Sequence, residues 1–332
     1  MTPPRAQKTH AAGFPHVAGA WFLTGPTAAG KTQVAIEISR LARVAGQKIE
    51  IVSMDSMAVY TGMDISTAKP TRAERAIATH HLIDLVEPHD DFSLARYLAA
   101  AHAKVDEISA RGSQPLFVGG TPLYLKALLR GLFQGPAADW RFRRELERVA
   151  AEHGGTWLWE ELARVDSVTA AKLHANDFRR LIRAIEIFAK TERPMSDWQR
   201  QFDQPRSQDE VCVLALAWPR EVLNERINRR VDRMFEEGMV DEFERLFAAP
   251  NPISQSASQV VGYRETGDFL AGRISRAQAI EQVKSRTRQF AKRQMTWFRS
   301  LSECRLIAMT EPFDAARLAQ RLWPLYQASS KS

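Results

Sequence analysis

The chain has 332 residues, with 46 Lys+Arg against 39 Asp+Glu for a formal net charge of +7, and 45% of it is hydrophobic. That length suits about two domains and that composition supports a packed core, which excludes a mostly disordered chain, a collagen or a disulfide-stapled mini-protein. Only Cys212 and Cys304 carry thiols; they form no CxxC pair, so no zinc or redox motif is expected and a reducing cytoplasm fits.

Residues 1–19 contain Arg5 and Lys8 but no apolar stretch, and read as a disordered leader rather than a signal peptide. Ala20–Thr24 is a short apolar strand that runs into Gly25-Pro26. After Lys31, the pattern Val34, Ile36, Ile38, Leu41 begins a helix. A second apolar run, Ile49 to Met54, ends at Asp55-Ser56, and a third segment, Leu82–Val86, precedes Pro88. Ser93 caps a helix from about Leu94 to Ala110, stopped by Gly112, and Pro115–Val118 then enters Gly119-Gly120. Strands alternating with helices of this length predict βαβ units and a parallel sheet.

From Gly131 to about Asp203 the texture changes to Arg, Glu, Ala and Trp at helical spacing, bracketed by Pro136 and Pro205. This predicts a small all-helical insertion over 133–203. Val211–Trp218 resembles another core strand, and Glu221 to about Trp323 reads as helical with one loop near Pro250. The expected fold is therefore α/β, with helices on both faces of a parallel sheet. The core spans 20–132 and 204–325, its C-terminal part is helical, and 326–332 is a flexible tail. The longest apolar run, Val211–Trp218, is far short of the ~20 residues that span a bilayer, so no membrane association is expected.

Gly25-Pro26-Thr27-Ala28-Ala29-Gly30-Lys31-Thr32 fits G-x-x-x-x-G-K-[ST] without a mismatch, between a strand and a helix as the motif requires. Glycines let successive N–H groups face phosphate oxygens, and the helix that follows presents its positive end. Lys31 adds a mobile cation and the Thr32 hydroxyl can ligate Mg²⁺. The motif certifies a bound di- or triphosphate and no more. Asp55, at the end of the next strand, can hold Mg²⁺ through water, act as a general base, or simply cap a helix. Spacing alone leaves these open.

The wider string decides between them. Ser53 to Pro70 (SMDSMAVYTGMDISTAKP) resembles the signature segment of the tRNA dimethylallyltransferases, and Val118 to Tyr124 (VGGTPLY) resembles another. Asn176–Ala184, Val261–Glu265 and Lys292–Arg299 are similar to further family blocks, in the expected order. No Cys/His module stands at the C-terminus, as in the bacterial form. The resemblance implies that the N6 amine of the adenine on the 3′ side of the anticodon attacks C1 of dimethylallyl diphosphate, releasing diphosphate. The P-loop would then hold the prenyl donor, with Mg²⁺ on Thr32. It implies roles for Lys31 and Arg226 against the diphosphate, for Asp55 as the base that directs and deprotonates the amine, and for Thr121 beside the adenine. Without the resemblance, Arg226 reads as an exposed helix arginine and Thr121 as a strand-end cap.

An adenine stacked in an anticodon loop must be everted to reach such a pocket, which calls for a basic surface. The expected tRNA-contacting residues are Asp55, Ser56, Met57, Ala58, Thr121, Arg143, Arg179, Arg180, Leu181, Ile182 and Arg183. To these the resemblance adds a loop of Gln259, Val260, Val261, Gly262, Tyr263 and Arg264. A helix is expected to add Lys292, Arg293, Gln294, Met295, Thr296, Trp297, Phe298 and Arg299. Lys284 to Arg299 holds six basic residues and no acidic one. Lys284, Arg288, Lys292 and Arg299 share a helix face, while Val283, Phe290 and Phe298 are expected in the core. Ala58 and Ser66 depart from the family pattern, Ser66 standing where a glycine is usual; that matters only if the backbone there needs φ > 0. His80, His81 and His174 match no metal-ligand pattern. A monomer is expected. Two other classes remain: a small-molecule kinase with Asp55 on Mg²⁺, and a non-catalytic RNA-binding protein with a nucleotide switch.

Overall fold

A computed structural model describes residues 17–132, 135, 136, 138–154, 156–198, 204–208 and 210–329. The first 16 residues of the expected leader and the last three of the expected tail lie outside it, while Val17, expected in the leader, is buried and donates its amide to the Leu128 carbonyl at 2.8 Å. The described residues form two compact units, one within 130–204 and one made by 17–129 with 205–329.

The larger unit is built on six parallel strands: β1 (Trp21–Thr24), β2 (Ile49–Ser53), β3 (His80–His81), β4 (Gln114–Gly119), β5 (Cys212–Ala217) and β6 (Cys304–Ala308). Their order is β3-β2-β4-β1-β5-β6, and helices cover both faces. β1 and β2 are buried along their whole length, and β4 and β5 at all but one residue each. That two-sided burial is why they read as continuous apolar runs rather than alternating ones. β1 lies between β4 and β5 in tight register, Leu23 opposite both Val118 and Leu214. The C-terminal ends of β1, β2 and β4 therefore meet, each ending in one of the loops singled out above. In open α/β sheets this edge is where ligands bind. Cys212 and Cys304 are buried thiols.

Three expectations are corrected. The third strand is His80–His81, not Leu82–Val86. Leu82 and Asp84 have φ of 58° and 56°, which breaks an extended run, and only Val86 bridges, to Tyr60. The region 221–323 is not wholly helical, because Cys304–Ala308 pairs with β5 as an edge strand. Its Arg305 and Leu306 are exposed, so the buried-strand signal is missing. Residues 326–329 end the helix Ala315–Ser329 rather than a tail. Tyr326 is fully buried, stacks on Trp21 and donates its hydroxyl to the Phe22 carbonyl.

The smaller unit is helical, with Trp140–His153, Trp157–Val165, Ser167–Lys172, Phe178–Thr191 and Met195–Trp198. It has a core of its own, made by Ala150, Leu158, Leu162, Ala170, Leu181, Ile182 and Ala184.

Candidate active site

The phosphate loop is shaped by its two glycines. Gly25 has φ 138°, and a Cβ there would stand 2.8 Å from the Leu216 carbonyl oxygen; Gly30 has φ 89° and backs onto the Phe313 ring. Between them Ala28 adopts φ 62°, a left-handed conformation that costs a side-chain-bearing residue energy. Neighbours hold the loop in that shape. Arg226 donates Nε to the Ala28 carbonyl at 3.0 Å, and the Trp218 indole donates to the Ala29 carbonyl at 3.1 Å. As N-cap of the helix Lys31–Val44, Gly30 offers no side chain to the first-turn amides. Their N–H groups, with the helix's positive end, form a place for an anion.

Lys31 folds back to donate Nζ to the carbonyls of Gly25 and Pro26, at 3.0 and 2.7 Å. Burial, and then the neighbouring Arg230 cation, lower its pKa to about 7, while Asp55 pulls the other way. Lys31 keeps an open face to the cleft, but protein surrounds it closely enough to strip much of its hydration. Burial likewise pulls Arg230 down, against the favourable field of Asp55. The same two cations thus sense the same carboxylate.

Asp55 follows β2. Its Oδ1 accepts the amides of Met57 at 2.8 Å and Ala58 at 3.4 Å, a turn that fixes the carboxylate's direction. Thr121, just past β4, accepts the Ser56 amide on Oγ1 at 3.1 Å, so it orients the residue beside Asp55. That closeness depends on Gly119, where a Cβ would lie 2.0 Å from the Met54 carbonyl oxygen.

One cleft of about 1660 Å³ is lined by the whole of Thr27–Thr32, by Asp55 and Thr121, and by Arg226 and Arg230. Met57, Ile65, Met234 and Phe290 give it an apolar wall. Phe290, expected in the core, is instead 36% exposed. Arg226 sits between the Trp218 and Phe313 rings, at 4.4 and 4.9 Å, and pairs with Glu311 at 3.1 Å. Arg230 was not singled out in the sequence. Its signal was the i,i+4 spacing from Arg226 within Glu225-Arg226-Ile227-Asn228-Arg229-Arg230, which places both on one side of the helix Arg220–Glu236.

Two buried charges also escaped sequence reading. Glu242 accepts the amides of Asp64, Ile65 and Ser66 at 2.7, 2.7 and 3.0 Å. Lys69 donates to the Tyr60 carbonyl at 2.6 Å and to the carboxylates of Asp64 and Asp84. Together they hold the segment 60–84 along the cleft. The positive φ falls on Ala68, not Ser66, so the departure at Ser66 carries no backbone penalty.

The expected RNA-contacting residues divide. Lys292, Arg293, Thr296 and Arg299 are exposed and Trp297 is half-buried, but Gln294, Met295 and Phe298 are buried in the helix Arg276–Ser300. Lys284 is tied to Asp232 at 2.7 Å, and Arg288 donates to the Asn228 side chain at 2.6 Å, so neither belongs to a free basic face. Between Gln259 and Arg264 the backbone is not one loop: Gln259 ends a 3₁₀ turn, Val260 and Gly262 are buried, and Tyr263 and Arg264 open the helix Tyr263–Leu270. In the helical unit Arg179 and Arg180 are exposed, whereas Leu181 and Ile182 are core. Arg143 and Arg183 both pair with the fully buried Glu186, at 2.8 and 2.5 Å, which spends part of their donor capacity on structure.

Among the described residues no cluster of three or more His, Cys, Asp or Glu could hold a metal ion. A Mg²⁺ would take the Thr32 hydroxyl, phosphate oxygens and water. These hard oxygen donors fit an ion that keeps much of its hydration.

A family model described as IPP transferase matches residues 58–301. The chain belongs to the IPP transferase family. Its phosphate loop and Asp55 precede the matched stretch. It is 48% identical over 301 residues to a tRNA dimethylallyltransferase of Rhodopirellula baltica, covering 90% of each chain. Among solved structures it is similar to the tRNA isopentenylpyrophosphate transferase of Bacillus halodurans (35% identity, 95% and 97% of the two chains, TM-score 0.68). It also resembles a eukaryotic dimethylallyltransferase studied acting on tRNA (26% identity, 92% and 78% of the chains, TM-score 0.72). The family match takes in β3, β4 and β5 of the sheet together with the helical unit.

Proposed function

We propose that this protein transfers the dimethylallyl group of dimethylallyl diphosphate to N6 of the adenosine on the 3′ side of a tRNA anticodon, releasing diphosphate. One observation carries the reading: in a chain of the IPP transferase family, an anion cradle and a directed carboxylate open into the same cleft. As the allylic C–O bond breaks, charge grows on the diphosphate. The loop amides, Lys31, Arg226 and Arg230 face that charge and are already in place, so little reorganisation is needed. A Mg²⁺ on Thr32, when bound, would neutralise part of the same charge.

Asp55 receives the N6 proton. The amine is a weak nucleophile until it bonds carbon, when it becomes strongly acidic and passes its proton to a carboxylate already aimed at it. Thr121 keeps Asp55 in place through Ser56. Exposed Lys292, Arg293 and Arg299 offer phosphate contacts, as do Arg179 and Arg180 in the helical unit. No described helix is long and apolar enough to cross a membrane. The compartment we infer is the cytoplasm, and the active form a monomer.

Purified protein incubated with Mg²⁺, labelled dimethylallyl diphosphate and an anticodon stem-loop with an A-rich loop should place label in the RNA. Phosphate transfer from ATP with unlabelled RNA would sink this reading in favour of a kinase. RNA binding without any transfer would leave a binding protein.

A further inference from the structure

Gln294 lies where a surface residue is not expected to be. It is 3% exposed, and its carboxamide spans two loops that are distant in sequence. Oε1 accepts the Thr27 amide at 2.9 Å, and Nε2 donates to the Gly120 carbonyl at 2.6 Å. The orientation of the amide is forced, because a backbone N–H only donates and a carbonyl only accepts. Gly120 is required for the approach, since a Cβ there would stand 2.7 Å from Nε2.

These bonds extend into a continuous chain. Thr27 belongs to the phosphate loop. Gly120 precedes Thr121, whose Oγ1 holds the amide of Ser56, the neighbour of Asp55. Gln294 is therefore the tie between the cradle of the leaving group and the turn that carries the base. It also commits the Thr27 amide, leaving the anion to the amides farther along the loop.

We propose that Gln294 is a positioning residue that sets the separation of diphosphate and base, and is not an RNA contact. This deepens the prenyl-transfer reading and rests on it. Both of its bonds are needed, one to each loop, and no ionised or apolar side chain of similar length supplies the pair.

Two variants test it. Gln294→Met keeps length and loses both bonds; turnover should fall about 10–100-fold, the scale of an ångström-sized misplacement, with RNA affinity within about twofold of the original. Gln294→Glu should be impaired when ionised, because it cannot donate to Gly120. Protonated, the carboxylic acid reproduces both bonds, so its activity relative to wild type should climb as pH falls. Turnover is compared below the thermal midpoint of each protein at every pH, so that a loss of fold, which protonation would also relieve, does not produce the profile. Three results would each overturn the proposal: wild-type turnover in Gln294→Met, lost RNA affinity with bound-state turnover intact, or activity of Gln294→Glu relative to wild type that is flat in pH.

Two further readouts separate it from the reading it rests on: inorganic diphosphate binding and hydrogen exchange at the Thr27 amide. Diphosphate affinity and amide protection should both weaken in Gln294→Met. If the wild type binds diphosphate yet labels no RNA, the prenyl-transfer reading fails, while these two measurements still decide the role of Gln294.

Discussion

Lys31 is a cation whose protonation the fold itself unsettles. Its pKa of about 7 means that above neutrality part of the population is uncharged. An incoming diphosphate favours the ammonium form, so binding takes up a proton at this site. Calorimetry of diphosphate binding at pH 8 in buffers of different ionisation enthalpy should show more uptake for wild type than for Lys31→Met; equal uptake would place the coupled proton elsewhere. The sign for stability is also fixed. The unfolded chain keeps this lysine protonated up to about 10.5, so the protein gains stability from the site as pH climbs through about 7 toward that value. Asp55 is tested by Asp55→Asn, which keeps shape but accepts no proton. Turnover should drop about 10²–10⁴-fold, the usual contribution of a general base, and RNA affinity should hold. Full activity would remove Asp55 from the reaction. The motif made Lys31 legible and the family resemblance Asp55, whereas the place of Arg230 beside both came with the fold.

At the scale of elements, buried charges fix the loops around the sheet. Glu50 of β2, 2% exposed, takes a two-pronged contact from Arg111 at 2.8 and 2.6 Å and another from His81 at 2.7 Å. The Arg111 guanidinium, opposed by burial and aided by His81, holds its carboxyl well below the usual range. A depressed acid stabilises the fold above its unfolded pKa and loses that contribution as pH falls. Glu50→Gln should therefore lower stability near pH 7 by about 2 kcal/mol, the size of a charged hydrogen bond. The gap in denaturation midpoint should narrow below about pH 4.5, the unfolded value. A pH-independent gap would mean that packing, not charge, is at stake. Apolar runs announced β1, β2, β4 and β5, but not β3 or β6. Those edge strands are short or alternate in exposure, and their pairing comes from a neighbour far along the chain.

Across the whole molecule, the basic run 284–299 divides by partner rather than by sign. Lys284 and Arg288 satisfy carboxylate and amide partners on the helix Arg220–Glu236, while Lys292, Arg293 and Arg299 remain exposed. Replacing the last three together by glutamine should weaken RNA binding and reduce the slope of log K against log salt by about 2–3, one counterion release per phosphate contact. Lys284→Gln should barely change it. The reverse ranking would return RNA binding to the helix face that spacing alone suggested.

What the sequence determined by itself was local. An unbroken motif between a strand and a helix specifies an anion cradle, because glycine φ angles and helix-end amides are short-range properties, and ordered family blocks specify the chemistry it serves. The tertiary structure alone decided which side chains complete the site. Gln294, Arg230, Glu242 and Lys69 act across gaps of five to 267 residues, and a residue's partner at such distances depends on packing. Packing also decided which basic residues stay on the surface, since a buried cation must be paired before it can be buried.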